Sequence, residues 1–283
     1  MNMTQTQADA KSKSASIGRI LLEAGKIKAE DAERILQTQK EYDLRFGDAA
    51  LKLELVTEDD ILRAISQQFH YASLPVDSDL IDAEVVAAFR THGNEIEEFR
   101  TLRSQLALRW FSENKALVVS SPTAGQGATY VSANLAVLFS QLGEKTLLID
   151  ADMRAPRIHS LFKLANKQGL SDMLASRVGA EAIHTIEAFD NLSVLTAGTS
   201  TPNPLELLSR HQFWSEIEQN FDVIIIDTPP ALESADAQSI VGKVGGALVV
   251  VRNNESKLVD IENVKSQFSI AGADVVGAVI NNF

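Results

Sequence analysis

The spacing of hydrophobic residues changes part-way along the chain, and the change predicts two kinds of structure. Before about residue 75, apolar residues recur at helical spacing, as Ala32, Ile35 and Leu36 do. From Ala116 onwards they form short β-branched runs separated by helix-length segments: ALVVSS, TLLIDAD, LSVLTAG, DVIIID, GALVVV and VVGAVI. Such runs are typical of strands buried on both faces, and their alternation with helices indicates right-handed βαβ units. The pattern predicts a small all-helical domain followed by a doubly wound, mostly parallel α/β domain.

The helical region contains an internal repeat. Each copy is predicted to form a short helix, a turn and a second helix. Because a unit this short cannot bury its apolar face alone, we expect the two copies to pack on each other. The matching positions, all at one offset, are Gly18 and Gly47, Leu22 and Leu51, Ile27 and Val56, Asp31 and Asp60, and Gln39 and Gln68.

These patterns divide the chain into four regions. Residues 1–14 are polar and low in bulky side chains, which predicts a disordered tail. We expect residues 15–75 to form the helical repeat domain. Residues 76–112 are expected to hold a connector and a helix at about residues 95–110. Residues 113–283 form the predicted α/β domain.

A glycine loop joins the first predicted strand, residues 116–121, to the helix after it. This context favours a phosphate-binding loop, whose backbone N–H groups and helix N-terminus face a phosphate. A plain glycine turn is the alternative. Thr129 stands where the hydroxyl of such a loop ligates Mg²⁺. The predicted nucleotide-binding residues are Ala124, Gly125, Gln126, Gly127, Ala128, Thr129, Tyr130 and Arg154.

Carboxylates follow two of the predicted strands. Asp150 and Asp152 end one strand and Asp227 ends another. Ligands of open parallel sheets lie beyond the carboxyl ends of the strands, so we expect these groups to converge near the glycine loop. Oxygen ligands suit Mg²⁺ on a nucleotide, whereas a single Asp at a strand end is usually a turn former. We therefore predict Thr129, Asp150, Asp152 and Asp227 as metal ligands, with Asp150 and Asp152 also catalytic.

Composition narrows the classes of function. The formal net charge of −12 over 283 residues argues against general nucleic-acid binding. The chain has no cysteine, which excludes disulfides and thiolate metal sites and fits a reducing cytoplasm. No apolar run approaches the roughly 20 residues that span a bilayer, and residues 1–14 do not resemble a signal peptide. We expect a cytoplasmic protein without direct membrane insertion.

Several separate motifs resemble those of the bacterial tyrosine kinases of capsule and exopolysaccharide synthesis, which share their P-loop fold with the MinD/ParA ATPases. They are LLIDADMRAP, VIIIDTPP, residues 169–172, residues 203–208 and Glu97-x-x-Arg100-x-x-Arg103. The resemblance implies ATP or ADP with Mg²⁺, and oligomer contacts through Glu97, Arg100 and Arg103. It also implies a membrane polysaccharide co-polymerase as partner, which would hold the chain at the inner membrane.

The repeat region resembles the N-terminal domain of the MshE/type II secretion ATPases. Some of those proteins bind cyclic di-GMP through Arg-Leu-Gly triplets, and the triplets here are Ser16-Ile17-Gly18 and Arg45-Phe46-Gly47. The resemblance implies Gly18, Arg45 and Gly47 as a cyclic di-GMP site, with a protein-docking or purely structural module as the alternative. The two regions together resemble an EpsG-type chain-length-determinant kinase.

The chain departs from the kinase pattern at the phosphate loop. Ala128 stands in place of the loop lysine, Thr123 in place of the second lysine of MinD/ParA proteins, and Tyr130 in place of a small hydroxyl residue. The sequence ends after the last predicted strand, so we expect no self-phosphorylation of a tyrosine-rich tail. An active kinase or ATPase and an inactive pseudokinase scaffold both stay open, whereas a MinD/ParA-type positioning ATPase is disfavoured.

Overall fold

The computed structural model describes residues 16–68, 72–210 and 212–282 of the chain. These residues belong to two compact units, which meet in the sequence between Ala72 and Ser73. The predicted tail, residues 1–14, lies outside the described residues. None of the described helices is both long and apolar enough to cross a membrane.

The described residues of the first unit form four helices. Helices α1 (Ile17–Glu23) and α2 (Ala29–Tyr42) form the first copy of the repeat, and α3 (Phe46–Lys52) and α4 (Glu58–Gln68) form the second. The copies pack crosswise, because α1 lies mainly on α4 and α2 lies on α3. Their core is shared, as Leu21 and Ile35 of the first copy are buried together with Ala49 and Ala50 of the second.

The second unit is built on one seven-stranded sheet with the order β3-β4-β2-β5-β1-β6-β7. All neighbouring strands are parallel except β3 and β4. The strands are β1 (Ala116–Ser120), β2 (Thr146–Asp150), β3 (Ile183–Thr185), β4 (Leu192–Leu195), β5 (Val223–Asp227), β6 (Gly246–Arg252) and β7 (Asp274–Asn281).

Helices cover both faces of this sheet. Alternate residues of β1 point to opposite sides, so that Leu117 and Val119 join one apolar core while Ala116 and Val118 join the other. Helices α5 to α8 contribute to the first core and α9 to α13 to the second. They are α5 (Val86–Phe89), α6 (Asn94–Arg109), α7 (Ala128–Ser140), α8 (Ile158–Leu161), α9 (Leu170–Leu174), α10 (Pro204–Leu208), α11 (Gln212–Ile217), α12 (Asp236–Val244) and α13 (Leu258–Ile270).

The fold class predicted from the sequence is confirmed, since the sheet is doubly wound and mostly parallel. All six predicted strands are present, and α6 lies where a helix was expected. The short edge strand β3 was not predicted. In the first unit Leu36 is 48% exposed, so it does not share the burial of Ile35 on the same helix.

Candidate functional site

The glycine loop lies between the end of β1 and the start of α7. Gly125 and Gly127 have φ angles of 77° and 95°, in the left-handed region that favours glycine. A Cβ added at Gly125 would meet nothing within 4 Å, so a ligand can approach the backbone there. A cavity of about 310 Å³ lies beside the loop. Ala128, the first residue of α7, is among the residues that line it. The cavity therefore lies at the N-terminus of a helix, where an anion is stabilised.

Asp227 faces this helix from the end of β5. Its Oδ2 accepts a hydrogen bond from the Thr129 hydroxyl at 2.8 Å, and its Oδ1 accepts one from the Ser132 hydroxyl at 3.0 Å. Both donors lie in the first turns of α7, three residues apart on one face. The predicted neighbours Thr129 and Asp227 are thus in direct contact.

Burial changes the acidity of Asp227. Removal from water is the largest cause, and it raises the pKa of the carboxyl to about 7, against the effect of the Thr129 and Ser132 hydroxyls. The neighbouring charge of Asp152 raises it further. Asp227 is therefore poised to change its charge near neutral pH, and a cation bound beside it would favour the charged form.

Asp150 lies opposite Asp227 in the pairing of β2 with β5. Its carboxylate is bound by backbone groups of the loop that follows β2. Its oxygens accept hydrogen bonds from the backbone N–H groups of Asp152, Arg157 and Ile158. Burial, followed by the charge of Asp227, raises the pKa of the Asp150 carboxyl well above its usual range. Neither Asp150 nor Asp227 is among the described residues that line the cavity. Asp150 holds the loop after β2 through these backbone contacts, and its metal-binding and catalytic roles stay a prediction.

Asp152 and Arg154 do line the cavity. Oδ1 of Asp152 accepts hydrogen bonds from the backbone N–H groups of Arg154 and Ala155, which folds the loop into a tight turn. The Arg154 guanidinium donates from Nε and Nη2 to the two oxygens of Asp236, at 2.7 and 3.2 Å. Asp236 is 1% exposed at the start of α12, so this fork fixes the arginine against the cavity wall.

A second arginine and a glutamate complete the charged lining. Arg157 pairs with both carboxylate oxygens of Glu84, at 2.9 and 3.0 Å. Glu233, on the segment after β5, accepts a hydrogen bond at 2.9 Å from the backbone N–H of Ala124. A carboxylate of this chain thus already contacts a donor of the glycine loop.

The loop retains a polar atom suited to a ligand. Gln126 is 4% exposed and donates from Nε2 to Thr123 Oγ1, while its Oε1 has no hydrogen-bond partner among the described residues. Exchanging the amide oxygen and nitrogen would let the Thr123 hydroxyl donate to the amide oxygen, and the amide N–H would then be the group without a partner. This amide and the open space at Gly125 fit a phosphate group.

The oxygen donors at the site suit Mg²⁺ in kind. Thr129 Oγ1 and the carboxylates of Asp152 and Asp227 are hard ligands of the type that Mg²⁺ takes together with phosphates and water. Across residues 16–68, 72–210 and 212–282, no three His, Cys, Asp or Glu side chains are grouped as a metal centre by themselves. The residues therefore fit a cation that is held jointly with a nucleotide.

Tyr130 is among the residues that line the cavity, and its side chain extends towards α6. Its hydroxyl donates to Oε1 of Glu95, and its ring packs against Phe99 with centroids 5.6 Å apart. Burial and then the Glu95 contact raise the pKa of the phenol above its usual value. The predicted nucleotide-binding residue thus connects the phosphate loop to the helix that carries Glu97 and Arg100.

The three residues of the Glu97-x-x-Arg100-x-x-Arg103 motif lie on α6. Arg100 pairs with Glu97 and also donates to the carbonyl of Thr91. Arg103 donates to the carbonyl of Leu138 at 3.1 Å, near the C-terminal end of α7, where a cation is favoured. The role of this motif in oligomer contacts stays a prediction.

In the first unit, packing explains the repeated glycines. A Cβ at Gly18 would lie 2.9 Å from the ring of Phe46, and one at Gly47 would lie 3.2 Å from Ile61. Arg45 is exposed beside Gly47. The cyclic di-GMP site at Gly18, Arg45 and Gly47 stays a prediction, because close helix packing alone requires small residues at both glycine positions.

Sequence reasoning missed several residues that shape the site, among them Arg157 of the charged lining. Ser132 could have been found from its spacing after Thr129 on the helix. No sequence pattern indicated Glu233, in the segment after β5, or Asp236, at the start of α12. Both contact residues that are far away in the sequence. Asn281, at the end of β7, donates a hydrogen bond to the carbonyl of Gln126, which lies 155 residues earlier in the sequence.

Comparison with known proteins identifies the family. The family model described as ParA, NUBPL iron-transfer P-loop NTPase, matches residues 113–283. The putative tyrosine-protein kinase CapB of Staphylococcus aureus is 35% identical over 189 residues, which cover 65% of this chain and 83% of CapB. The chain belongs to the bacterial tyrosine kinases of the P-loop NTPase class. A putative tyrosine-protein kinase in the cps region of Klebsiella pneumoniae is also 35% identical, but the match covers only 26% of its length.

Solved structures agree with this family. The kinase domain of the Escherichia coli tyrosine kinase ETK matches 66% of this chain and 75% of its own, with a TM-score of 0.62 and 33% identity. The septum site-determining protein MinD from Pyrococcus horikoshii, complexed with Mg-ADP, matches 59% of this chain and 70% of its own, with a TM-score of 0.51 and 26% identity. The resemblance to tyrosine kinases seen in the sequence motifs is thereby confirmed.

Proposed function

We propose that the second unit of this bacterial tyrosine-kinase family member binds ATP or ADP with Mg²⁺ in the cavity beside the glycine loop. The observation that carries this proposal is the contact of Thr129 on the loop with Asp227 at the end of β5. It joins a phosphate-binding element to a metal-binding carboxylate, the combination that phosphoryl transfer requires. Asp152 adds a carboxylate that lines the cavity itself.

We further propose that the chain is a kinase-like component of an exopolysaccharide chain-length regulation and export system. This proposal is supported by the sequence similarity of the chain to CapB and to the tyrosine kinase of the Klebsiella cps region. In this role it would act in the cytoplasm, docked on a membrane polysaccharide co-polymerase. Self-association through α6 is part of the proposal. We therefore expect sedimentation velocity to show a species larger than the single chain of 30.8 kDa.

An inactive pseudokinase is the second candidate, and one observation favours it. Ala128 lines the cavity where the family pattern has a lysine, so no ammonium group is present there to stabilise charge on the transferred phosphate. Such a protein would bind nucleotide as a structural signal and regulate its partner without phosphoryl transfer. Arg154 and Arg157 also face the cavity, but each is paired with a carboxylate.

The native chain and an Ala128→Lys variant separate the two candidates. Calorimetric titrations with Mg·ADP and Mg·ATP measure binding, and phosphate release measures turnover. We expect nucleotide binding by both proteins and turnover about 100-fold or more faster in the variant, the scale of a lost charge-stabilising group. Equal turnover would reject the pseudokinase, and absence of nucleotide binding at millimolar concentration would reject the nucleotide site itself.

A further inference from the structure

The contact of Glu233 with the glycine loop bears on which nucleotide the site prefers. The Glu233 carboxylate accepts the backbone N–H of Ala124 at 2.9 Å, and both residues line the cavity. A glycine loop binds phosphates through such backbone donors. A phosphate oxygen that approached Ala124 would therefore have to displace Glu233 or share the donor with it.

The other charges at the cavity do not offset this carboxylate. Arg154 is neutralised by Asp236 and Arg157 by Glu84, while Asp152 is a further acid in the lining. Ala128 contributes no charge, and no lysine is among the described residues that line the cavity. The described side chains that line the cavity therefore offer no unpaired positive charge to attract an additional phosphate charge.

The contact of Glu233 opposes the nucleotide that carries more phosphate charge. Glu233 lies six residues after Asp227, on the segment whose Thr228, Pro229 and Pro230 also line the cavity. ATP brings one more phosphate and more negative charge to this lining than ADP does. The carboxylate therefore opposes the binding of ATP more strongly.

We infer that Glu233 is a specificity residue that makes this phosphate loop select a nucleoside diphosphate over the corresponding triphosphate. This inference rests on the proposed nucleotide site. The Glu233 side chain is exposed, so it can swing away at modest cost, and the effect is one of preference between the two nucleotides. A chain with this preference would be held mainly with the diphosphate, in line with a loop that lacks its lysine.

Titration calorimetry with Mg·ADP and Mg·ATP on the full-length chain tests the inference. We expect the native protein to bind Mg·ADP about five- to tenfold more tightly than Mg·ATP, the size of one partly screened charge contact. Glu233→Gln keeps the shape of the side chain and removes its charge, so this ratio should fall towards one through tighter Mg·ATP binding. Glu233→Lys should invert it.

Glu187→Gln is the matched control, because Glu187 is an exposed glutamate between β3 and β4 at the far edge of the sheet. It should leave both affinities unchanged. A native ratio near one, or a ratio that Glu233→Gln does not alter, would overturn the role of Glu233 while leaving the nucleotide site intact. Failure of the native chain to bind either nucleotide would overturn both proposals.

Discussion

Single residues at the site are governed by burial, and Asp227 shows how this affects stability. Its carboxyl has a pKa of about 7 in the fold, against an ordinary value of 3.8. Between about pH 4 and pH 7 the native state therefore holds a proton that the unfolded chain has released. Stability is lost as the pH rises through this window, and it stays lower above it. Asp150 acts in the same direction, because its pKa is also raised.

Asp227→Asn should remove the part of this pH dependence that comes from Asp227. We expect the variant to have a higher free energy of unfolding than the native chain at pH 8, by on the order of a few kcal/mol, and a similar one near pH 4. Urea unfolding at the two pH values measures the difference. Asp274→Asn, at an exposed aspartate that starts β7, should show no such contrast. A loss of stability at pH 8 would contradict the raised pKa.

How far the sequence predicts the site also differs residue by residue. Thr129, Asp152 and Asp227 can be named as candidates because strand ends and helix starts are visible in a local pattern, and those ends meet at one edge of the sheet. The carboxylates of Glu233 and Asp236 were not found, since their partners Ala124 and Arg154 are 109 and 82 residues away. A contact of that kind depends on the path of a loop, which no local periodicity describes.

Among the elements, strands buried on both faces are the easiest to predict from the sequence, and edge strands are the hardest. β1, β2 and β5 are buried throughout, and each contains an unbroken apolar run. β3 has only three residues, none of them fully buried, so neither an apolar run nor an alternation marks it. Its place is set by its antiparallel pairing with β4.

At the start of β6, Gly246 packs closely against Trp110, and this contact can be tested by mutation. A Cβ at Gly246 would lie 2.3 Å from the ring of Trp110, and that ring is held by a hydrogen bond from Nε1 to the carbonyl of Ala116 at 2.8 Å. Gly246→Ala should therefore destabilise the second unit by about 1–3 kcal/mol through overpacking. Urea unfolding followed by far-ultraviolet circular dichroism measures the loss.

Gly277→Ala on β7 is the control for this change. A Cβ at Gly277 would be 3.8 Å from its nearest neighbour, Leu248 Cδ1, which is an ordinary contact. We expect it to leave the unfolding midpoint nearly unchanged. If both alanine variants unfolded alike, the close approach of Gly246 to Trp110 would not be the reason that glycine is required.

For the whole molecule, the apolar cores are the units of stability. The core of the first unit is formed by residues between Ile17 and Ile65. In the second unit one core begins at Leu74 and the other at Ala116. The internal repeat predicted the first of these cores, because its two copies share one apolar interior. Both tryptophans of the chain, Trp110 and Trp214, belong to the second unit, so tryptophan fluorescence reports on that unit alone.

Ile35→Ala uses this distribution to test whether the cores are independent. Ile35 is 0% exposed in the first unit, and its truncation should cost that unit about 2–5 kcal/mol. In urea we expect the helical signal of circular dichroism to show an earlier partial transition. The midpoint of tryptophan fluorescence and the affinity for Mg·ADP should stay as in the native chain. If fluorescence and circular dichroism shifted together, the two units would unfold cooperatively, and a ligand bound to the helical repeat could then influence the phosphate loop through stability alone.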